Sequence, residues 1–279
     1  MLLIIVSAFC FAAMNNFVHL AGDLPTVEKS FFRNLVTAIF SGFLLIRGKT
    51  RLEISGRDLP LLLVRSICGT IGILCNFYAV DHLLVGDASM LNKLSPFFVI
   101  IFSALILKEI PSRFQIMCLV LAMIGCALVV KPGFASTDMS GMSAGLLGGM
   151  AAGAAYTAVR ILGGRGVKGP VIVFFFSAFS CLSVIPMMIL WYHEPISPFQ
   201  FLALIGAGLA AAGGQFTITA AYRYAPGREI SIYDYSNIIF ATIIAYFLFG
   251  QIPDALSFLG YAVIITASLM MFLYNRKRS

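Results

Sequence analysis

Four ionisable side chains lie inside long apolar stretches of the chain, and any chemistry of this protein is expected to involve them. A charge held away from water is costly unless it faces a cavity or a partner. Such groups therefore bind charged solutes, form ion pairs or pass protons. The four residues are Arg33, Arg65, Lys93 and Asp234.

Lys93 and Asp234 are a candidate pair of opposite charge. A shift of 142 residues along the chain aligns Asn92 with Asp234. The same shift aligns Lys93 with Tyr235, so the two charges occupy neighbouring equivalent positions of an internal repeat. They could bind a solute or gate a cavity, and Asp234 could accept a coupling proton. The alternative is a structural ion pair that only locks two helices together.

Arg33 and Arg65 begin polar faces on two other apolar segments. Thr37 and Ser41 follow Arg33 at spacings of four, and Asn76 follows Arg65 on its segment. Guanidinium groups bind carboxylate and phosphate bidentately. Three deep cations against one deep anion favour an anionic or zwitterionic solute. The alternative is that both arginines extend to the membrane interfaces, since neither lies at mid-depth.

Amide and tyrosine side chains on other segments complete the candidate site. They could hydrogen-bond a planar or amphiphilic solute, or they could only bond one helix to another. The tyrosines could also lie at a membrane interface. The residues predicted to line a central cavity are Lys93, Asp234, Asn92, Tyr235, Arg33, Arg65, Asn76, Gln215, Tyr222, Tyr233, Asn237 and Asn16.

Membrane-spanning helices are the elements that must carry these residues. The chain has 279 residues, of which 60% are hydrophobic and 11% are charged, whereas soluble domains carry about 25% charged residues. A span needs about 20 mainly apolar residues. Breaks at turn formers and charges predict an all-α membrane protein with ten spans: 2–20, 28–46, 58–81, 87–107, 112–131, 141–162, 170–192, 199–222, 229–249 and 255–275.

The net charge of +7 is explained by membrane topology rather than by a nucleic-acid partner. With the amino terminus in the cytoplasm, fourteen of the 19 Lys and Arg residues lie at cytoplasmic helix ends. Only Lys29 and Lys131 then lie on the outer side. Cytoplasmic loops are enriched in these residues, so both termini are predicted to be cytoplasmic.

The 142-residue shift also aligns the boundaries of all five segments in each half. Because five spans per copy is an odd number, the second copy must enter the membrane from the opposite side. Inverted repeats are typical of secondary transporters, whose substrate sites lie near the bilayer midplane at the repeat interface. We predict a first repeat over 1–133 and a second over 140–279.

Glycine-rich faces on spans six and eight predict close helix packing. Such faces can pack within one chain or between two copies, so a homodimer is a further expectation. Pro96 and Pro186 are predicted to kink spans four and seven.

Motifs for catalysis, a metal or a cofactor are not found. The six cysteines include no CxxC pair, and the run from Gly163 to Gly169 lacks the spacing of a P-loop. The histidines are expected near helix ends. We therefore expect no enzyme activity, no metal, no cofactor and no nucleic-acid partner.

The segment Leu107-Lys108-Glu109-Ile110-Pro111, with the apolar helix after it, resembles the end of an EamA repeat in the drug/metabolite transporter superfamily. The segment from Ala221 to Ala225 is similar to the same family. Phe31-Phe32-Arg33, with the segments from Tyr233 to Asn237 and from Ala245 to Gly250, resembles the branch of S-adenosylmethionine and riboflavin carriers.

The resemblance implies ten helices in two EamA repeats and alternating access in a bacterial cell membrane. Asn92, Lys93 and Asp234 depart from that branch, so the resemblance does not indicate which solute is moved.

The sequence favours a secondary transporter of a small polar or amphiphilic metabolite. A vitamin, an S-adenosylmethionine-like or amino-acid-like compound and an organic anion all fit, as do uptake, facilitated movement and proton-coupled export. A lipid-acting membrane enzyme would need a polar catalytic cluster at one interface, and the sequence shows none. A non-transporting membrane subunit would leave the deep charges without a solute.

Overall fold

The computed structural model of the chain describes residues 2–48, 54–107, 112–130, 138–190, 195–224, 234 and 236–277. Within these residues it is all-α, which confirms the predicted fold class. The helices are α1 (Leu2–Leu20), α2 (Thr26–Arg47), α3 (Leu59–His82), α4 (Val85–Asn92), α5 (Ser95–Leu107), α6 (Arg113–Val130), α7 (Met139–Gly164), α8 (Gly169–Leu190), α9 (Pro198–Tyr224), α10 (Ser236–Phe249) and α11 (Ala255–Lys277).

Seven of these helices are long and apolar enough to cross a membrane, namely α1, α2, α3, α7, α8, α9 and α11. The helix α10 is apolar but shorter, and α6 contains a shorter apolar stretch. Large apolar side chains such as Phe247 and Leu190 are strongly exposed. Lipid tails can cover such a surface, whereas water cannot without a large free-energy cost.

The predicted fourth span, 87–107, is two helices rather than one. The helices α4 and α5 are separated by Lys93 and Leu94. Pro96 accounts for the break, because it has no N–H to donate to the carbonyl of Asn92, four residues before it. Lys93 consequently lies at the carboxyl end of α4, where the helix dipole favours a cation.

The helix starts in the two halves follow the predicted register. A shift of 142 residues carries the start of α6, Arg113, onto the start of α11, Ala255. The starts of α2 and α8, and those of α5 and α10, agree to within one residue under the same shift. The two halves therefore share one helical plan. The repeat boundaries 1–133 and 140–279 stay predictions.

Packing between the halves follows a twofold exchange of equivalent helices. The helix α3 packs on α7, and its equivalent α9 packs on α1. The helix α5 packs on α7, and its equivalent α10 packs on α1. The equivalent pairs α2 with α8 and α6 with α11 pack on each other. This is the arrangement expected of inverted repeats around a pseudo-twofold axis.

Glycines of α7 bring this helix close to α3 and α4. A Cβ atom added at Gly148 would lie 3.3 Å from the carbonyl oxygen of Gly72 in α3. A Cβ atom added at Gly149 would lie 2.7 Å from the carbonyl oxygen of Leu91 in α4. The predicted packing role of these glycines is confirmed. The close approach also holds the end of α4, and hence Lys93, against the second half.

We expect Gly149→Ala to lower the free energy of unfolding by about 1–3 kcal/mol, because a backbone oxygen cannot move aside as a flexible side chain can. Gly163→Ala is the matched control on the same helix, since an added Cβ there has no atom within 4 Å. It should be neutral or slightly stabilising. Thermal unfolding in one detergent measures both variants, and equal melting temperatures would contradict the close approach.

Candidate functional site

A cavity of about 80 Å³ lies where helices of the two halves meet. Helices from α1 to α4, with Lys93 just after α4, contribute from the first half, and helices from α7 to α10 contribute from the second. Its wall is unusually polar for so apolar a chain. The polar residues that line it are Asn15, Arg33, Arg65, Asn76, Asn92, Lys93, Tyr156, Gln215 and Asn237.

Arg33 of α2 and Arg65 of α3 lie against one aromatic ring in the cavity wall. The Cζ atom of Arg65 lies 4.0 Å from the centroid of the Phe176 ring, and that of Arg33 lies 5.7 Å from it. The two arginines are 1% and 5% exposed. Neither therefore extends to a membrane interface, and the ring stabilises both cations.

Neither guanidinium is paired with a carboxylate in the described part of the chain. Arg33 donates from Nη1 to Oδ1 of Asn34 at 2.5 Å, and the Nε atoms of both arginines have no hydrogen-bond partner among the described residues. Tyr156 and Cys181 are ionisable neighbours of Arg33. Phenol and thiol groups are neutral near pH 7, so these neighbours do not neutralise the arginine pair.

Lys93 and Asp234 form an ion pair across the interface between the halves. The Nζ atom of Lys93 donates to Oδ2 of Asp234 at 2.7 Å. The two side chains are 8% and 12% exposed. The second carboxylate oxygen, Oδ1, has no hydrogen-bond partner within the described residues. The pair is thus nearly buried, and one acceptor of Asp234 is unused.

Amide side chains link three helices of the first half beside the cavity. Asn76 of α3 donates to Oδ1 of Asn15 in α1 at 3.0 Å, and Asn15 donates to the hydroxyl of Ser89 in α4 at 3.1 Å. Asn237 of α10 donates to the carbonyl oxygen of Ala8 at 2.8 Å. Interhelical hydrogen bonding, which was the alternative to a lining role, therefore coexists with lining for these amides.

The structure brings most of the predicted site residues together. Asp234 contacts the cavity residue Lys93. Tyr233 and Tyr235, and the side chain of Tyr222, lie outside the described residues. The predicted residues that line the cavity are Lys93, Asn92, Arg33, Arg65, Asn76, Gln215 and Asn237.

The prediction for Asn16 was wrong about its face of α1. Its Nδ2 atom donates to the carbonyl oxygen of Ala12 at 2.9 Å and lies 3.5 Å from that of Ala241. Because a helix turns about 100° per residue, the neighbouring Asn15 takes the cavity face instead.

Sequence reasoning missed the aromatic residues of the cavity, among them Tyr156 and Phe176. The repeat register could have found the first, since the 142-residue shift aligns Tyr156 with Met14, which also lines the cavity. Tyr156 interacts electrostatically with Arg33, Arg65 and Asp234. Phe176 carried no such signal, because only the packing of α8 on α2 and α3 brings it beneath the arginines.

A second ion pair lies at the end of the bundle where α1 ends and α2 begins. The Nζ atom of Lys29 lies 2.5 Å from Oδ1 of Asp81, and the lysine side chain is fully buried. The sequence placed Lys29 on the outer side and gave no sign that its side chain is enclosed. Thr26 also approaches this carboxylate, at 3.5 Å.

His19 extends this polar network towards the second half. Its Nδ1 atom lies 3.0 Å from the carbonyl oxygen of Val80, and its Nε2 atom lies 3.1 Å from the amide nitrogen of Gln251. The backbone N–H of Val85 donates to Oε1 of Gln251 at 3.1 Å. Since a carbonyl oxygen only accepts, Nδ1 carries the proton and Nε2 accepts from Gln251. The network ties α1 to the start of α4 and to Gln251, the second residue after α10.

The model of the EamA-like transporter family matches residues 1–131 and 139–273 of the chain. The chain therefore belongs to the EamA-like transporter family, and its two halves are two EamA repeats. The expected membership of the drug/metabolite transporter superfamily is confirmed.

Three similar proteins cover most of the chain. The pseudopaline exporter CntI of Pseudomonas aeruginosa is 32% identical over 97% of this chain and 94% of its own length. The human solute carrier family 35 member G1 is 29% identical over 95% of this chain and 76% of its own length. A riboflavin transporter of Brucella anthropi is 25% identical over 96% of both chains.

A solved crystal structure shares the fold with a TM-score of 0.72 at 14% identity, over 100% of this chain and 98% of its own. The family and the similar proteins are transporters rather than enzymes. The chain is therefore a multi-pass membrane transporter of small metabolites.

Removal of one partner from the buried ion pair should destabilise the protein. We expect Asp234→Ala to lower the free energy of unfolding by about 3 kcal/mol, because the buried Lys93 ammonium loses its carboxylate. Lys93→Met combined with Asp234→Ala should recover most of the loss, since both charges are then gone. Thermal unfolding in detergent measures these effects.

Asp58→Asn is the control for this comparison. Asp58 lies 3.1 Å from Arg165, and the side chain of Arg165 is 46% exposed. An exposed pair contributes less than about 1 kcal/mol. If the double variant were no more stable than Asp234→Ala, the loss of stability would not arise from the lysine that has lost its carboxylate.

Proposed function

We propose that this transporter exports an anionic or zwitterionic metabolite by alternating access, with the central cavity as its binding site. The observation that carries the proposal is the pair of buried guanidinium groups in the cavity wall, Arg33 and Arg65, without a carboxylate partner among the described residues. Buried cations are normally paired. A solute anion would supply the missing charge during each transport cycle.

The ion pair between Lys93 and Asp234 is proposed to gate this site. It joins the end of α4 in the first repeat to the segment before α10 in the second. Alternating access moves one repeat against the other around a fixed site, so a contact between the repeats must open or shift. The Oδ1 atom of Asp234 has no hydrogen-bond partner among the described residues. A hydrogen-bond donor of the solute, or a coupling proton, could bind there when Lys93 moves away from Asp234.

The size of the cavity supports a change of shape on binding. Sites for metabolite-sized ligands commonly enclose about 300–1,000 Å³, whereas this cavity has about 80 Å³. Walls that separate during the transport cycle would provide the remaining volume. Such a movement needs interrupted helices and small residues at the moving contacts. The break between α4 and α5 and the glycine contacts of α7 supply both.

Direction and orientation are proposed from two sources. Export is supported by the similarity to the pseudopaline exporter of Pseudomonas aeruginosa over nearly the whole chain. The lysine and arginine distribution supports cytoplasmic termini in a bacterial inner membrane. The glycines of α7 and α9 with close neighbours pack against residues of the same chain, such as Phe17 and Val36. These faces therefore give no reason to invoke a homodimer.

The test is efflux from proteoliposomes loaded with a defined mixture of organic anions, amino acids, S-adenosylmethionine and riboflavin, measured by mass spectrometry. The wild-type protein should release anionic or zwitterionic members of the mixture. Lys93→Ala and Asp234→Ala should each slow that efflux by at least about tenfold, because the gate loses one partner. The charge-exchanged variant, Lys93→Asp with Asp234→Lys, should recover part of the rate.

Arg165→Ala is the matched control, because Arg165 forms an exposed ion pair at a helix end away from the cavity. It should retain wild-type efflux. If Lys93→Ala and Asp234→Ala each moved the solute at the wild-type rate in correctly inserted protein, the proposed gate would be wrong.

A further inference from the structure

We infer that the cavity selects solutes that carry two negative charges, and that Arg33 and Arg65 together impose this selection. The inference rests on the proposed function, because it names the solute class of the same cavity. A dicarboxylate and a phosphate monoester share this chemistry near neutral pH.

The charge balance of the described cavity residues leads to this class. Lys93 and Asp234 neutralise each other at 2.7 Å. Arg33 and Arg65 then contribute two positive charges. Within the described residues, Asp234 forms no ion pair with either arginine.

A solute has to compensate both charges because the site is largely enclosed. Arg33 and Arg65 are 1% and 5% exposed, and they repel each other. Charges interact more strongly when little water surrounds them. A monoanion would leave one buried positive charge, and a zwitterion would leave the net charge unchanged. A dianion brings the arginine pair to neutrality.

The geometry gives the two charges a common binding edge. Both Cζ atoms lie within 6 Å of one ring centroid, that of Phe176. The ring supplies no acceptor oxygen, and the Nε donors of both arginines have no hydrogen-bond partner in the part of the chain that the structure describes. A guanidinium binds an oxyanion bidentately through such donors. Two carboxylates, one on each arginine, or one phosphate between them, would satisfy the arrangement.

Gly69 is the residue that permits this arrangement on α3. A Cβ atom added there would lie 2.6 Å from the Phe176 ring and would collide with the guanidinium of Arg65. The close packing of Arg65 on the ring therefore requires glycine one turn along the same helix. A residue with a side chain at this position would displace the cation, the ring or both.

Four small molecules are the probes of this experiment. It measures how far each one raises the thermal stability of the purified protein and how far each one inhibits solute efflux from the proteoliposomes. Succinate is the dicarboxylate, glycerol 3-phosphate the phosphate monoester, butyrate the monoanion and β-alanine the zwitterion. Ligand binding to the folded state raises its stability. At least one dianion should act at a concentration about tenfold lower than the concentration at which butyrate acts. Succinate and glycerol 3-phosphate distinguish the two chemical sources.

Charge variants test whether the arginines impose the preference. Arg33→Gln and Arg65→Gln each leave one positive charge, so the preference for the dianion over butyrate should fall about tenfold. Arg33→Lys and Arg65→Lys keep the charge but lose the planar donor pair. They should bind the dianion more weakly but keep the preference for the dianion over butyrate. If a glutamine variant does not fold, the lysine variants still test the inference. Arg165→Gln is the control and should behave as wild type.

Two results would overturn the inference. One is protection by butyrate or β-alanine at the same concentrations as the dianions. The other is an unchanged preference in the glutamine variants. In either case efflux of other solutes would leave the proposed function standing. If correctly inserted protein moved no solute from any mixture, the proposed function itself would fail.

Discussion

The structure depends on one constraint, which is that the hydrocarbon core of a bilayer offers no water to polar groups. Each buried charge must therefore have a partner inside the protein or face a cavity. Lys93 is paired with Asp234, and Lys29 is paired with Asp81. The two cavity arginines instead lie on an aromatic ring. This exception gives the cavity its positive character, and we propose that a solute anion completes the charge balance there.

Backbone features beside the charged residues decide where those charges lie. Pro96 interrupts the fourth span, so Lys93 lies at a helix end rather than within a continuous helix. Gly149 lets α7 approach the carbonyl of Leu91, which holds that end against the second repeat. Asp234 is close to the matching position of the second repeat, two residues before α10 begins. The ion pair between repeats is thus a consequence of helix breaks and close packing, and the same features leave room for movement.

We propose that the fold and the solute are set by different parts of the chain. A solved structure shares the fold at 14% identity, so the fold does not require most of the individual side chains. The similar proteins carry names for different solutes, such as a pseudopaline exporter and a riboflavin transporter. The cavity residues are therefore proposed to decide what is moved. In this chain they include two guanidinium groups without a carboxylate partner among the described residues, a neutral ion pair and a set of amides.

Several features of the protein could be determined from its sequence. Apolar runs of membrane length are local properties, and they predicted the all-α class and most helix positions. The repeat shift was also readable in one dimension, because equivalent breaks recur at a constant separation. Isolated charges in apolar segments identified Arg33, Arg65, Lys93 and Asp234, since the cost of burying them is independent of the fold.

The tertiary structure alone decided which faces meet. Asn15 rather than Asn16 turns to the cavity, because helix rotation depends on neighbours. Lys29 is enclosed because α2 packs beside the end of α3. Phe176 lies beneath both arginines because α8 contacts α2 and α3. No local pattern carries that contact, and it brings two deep charges together in one cavity wall.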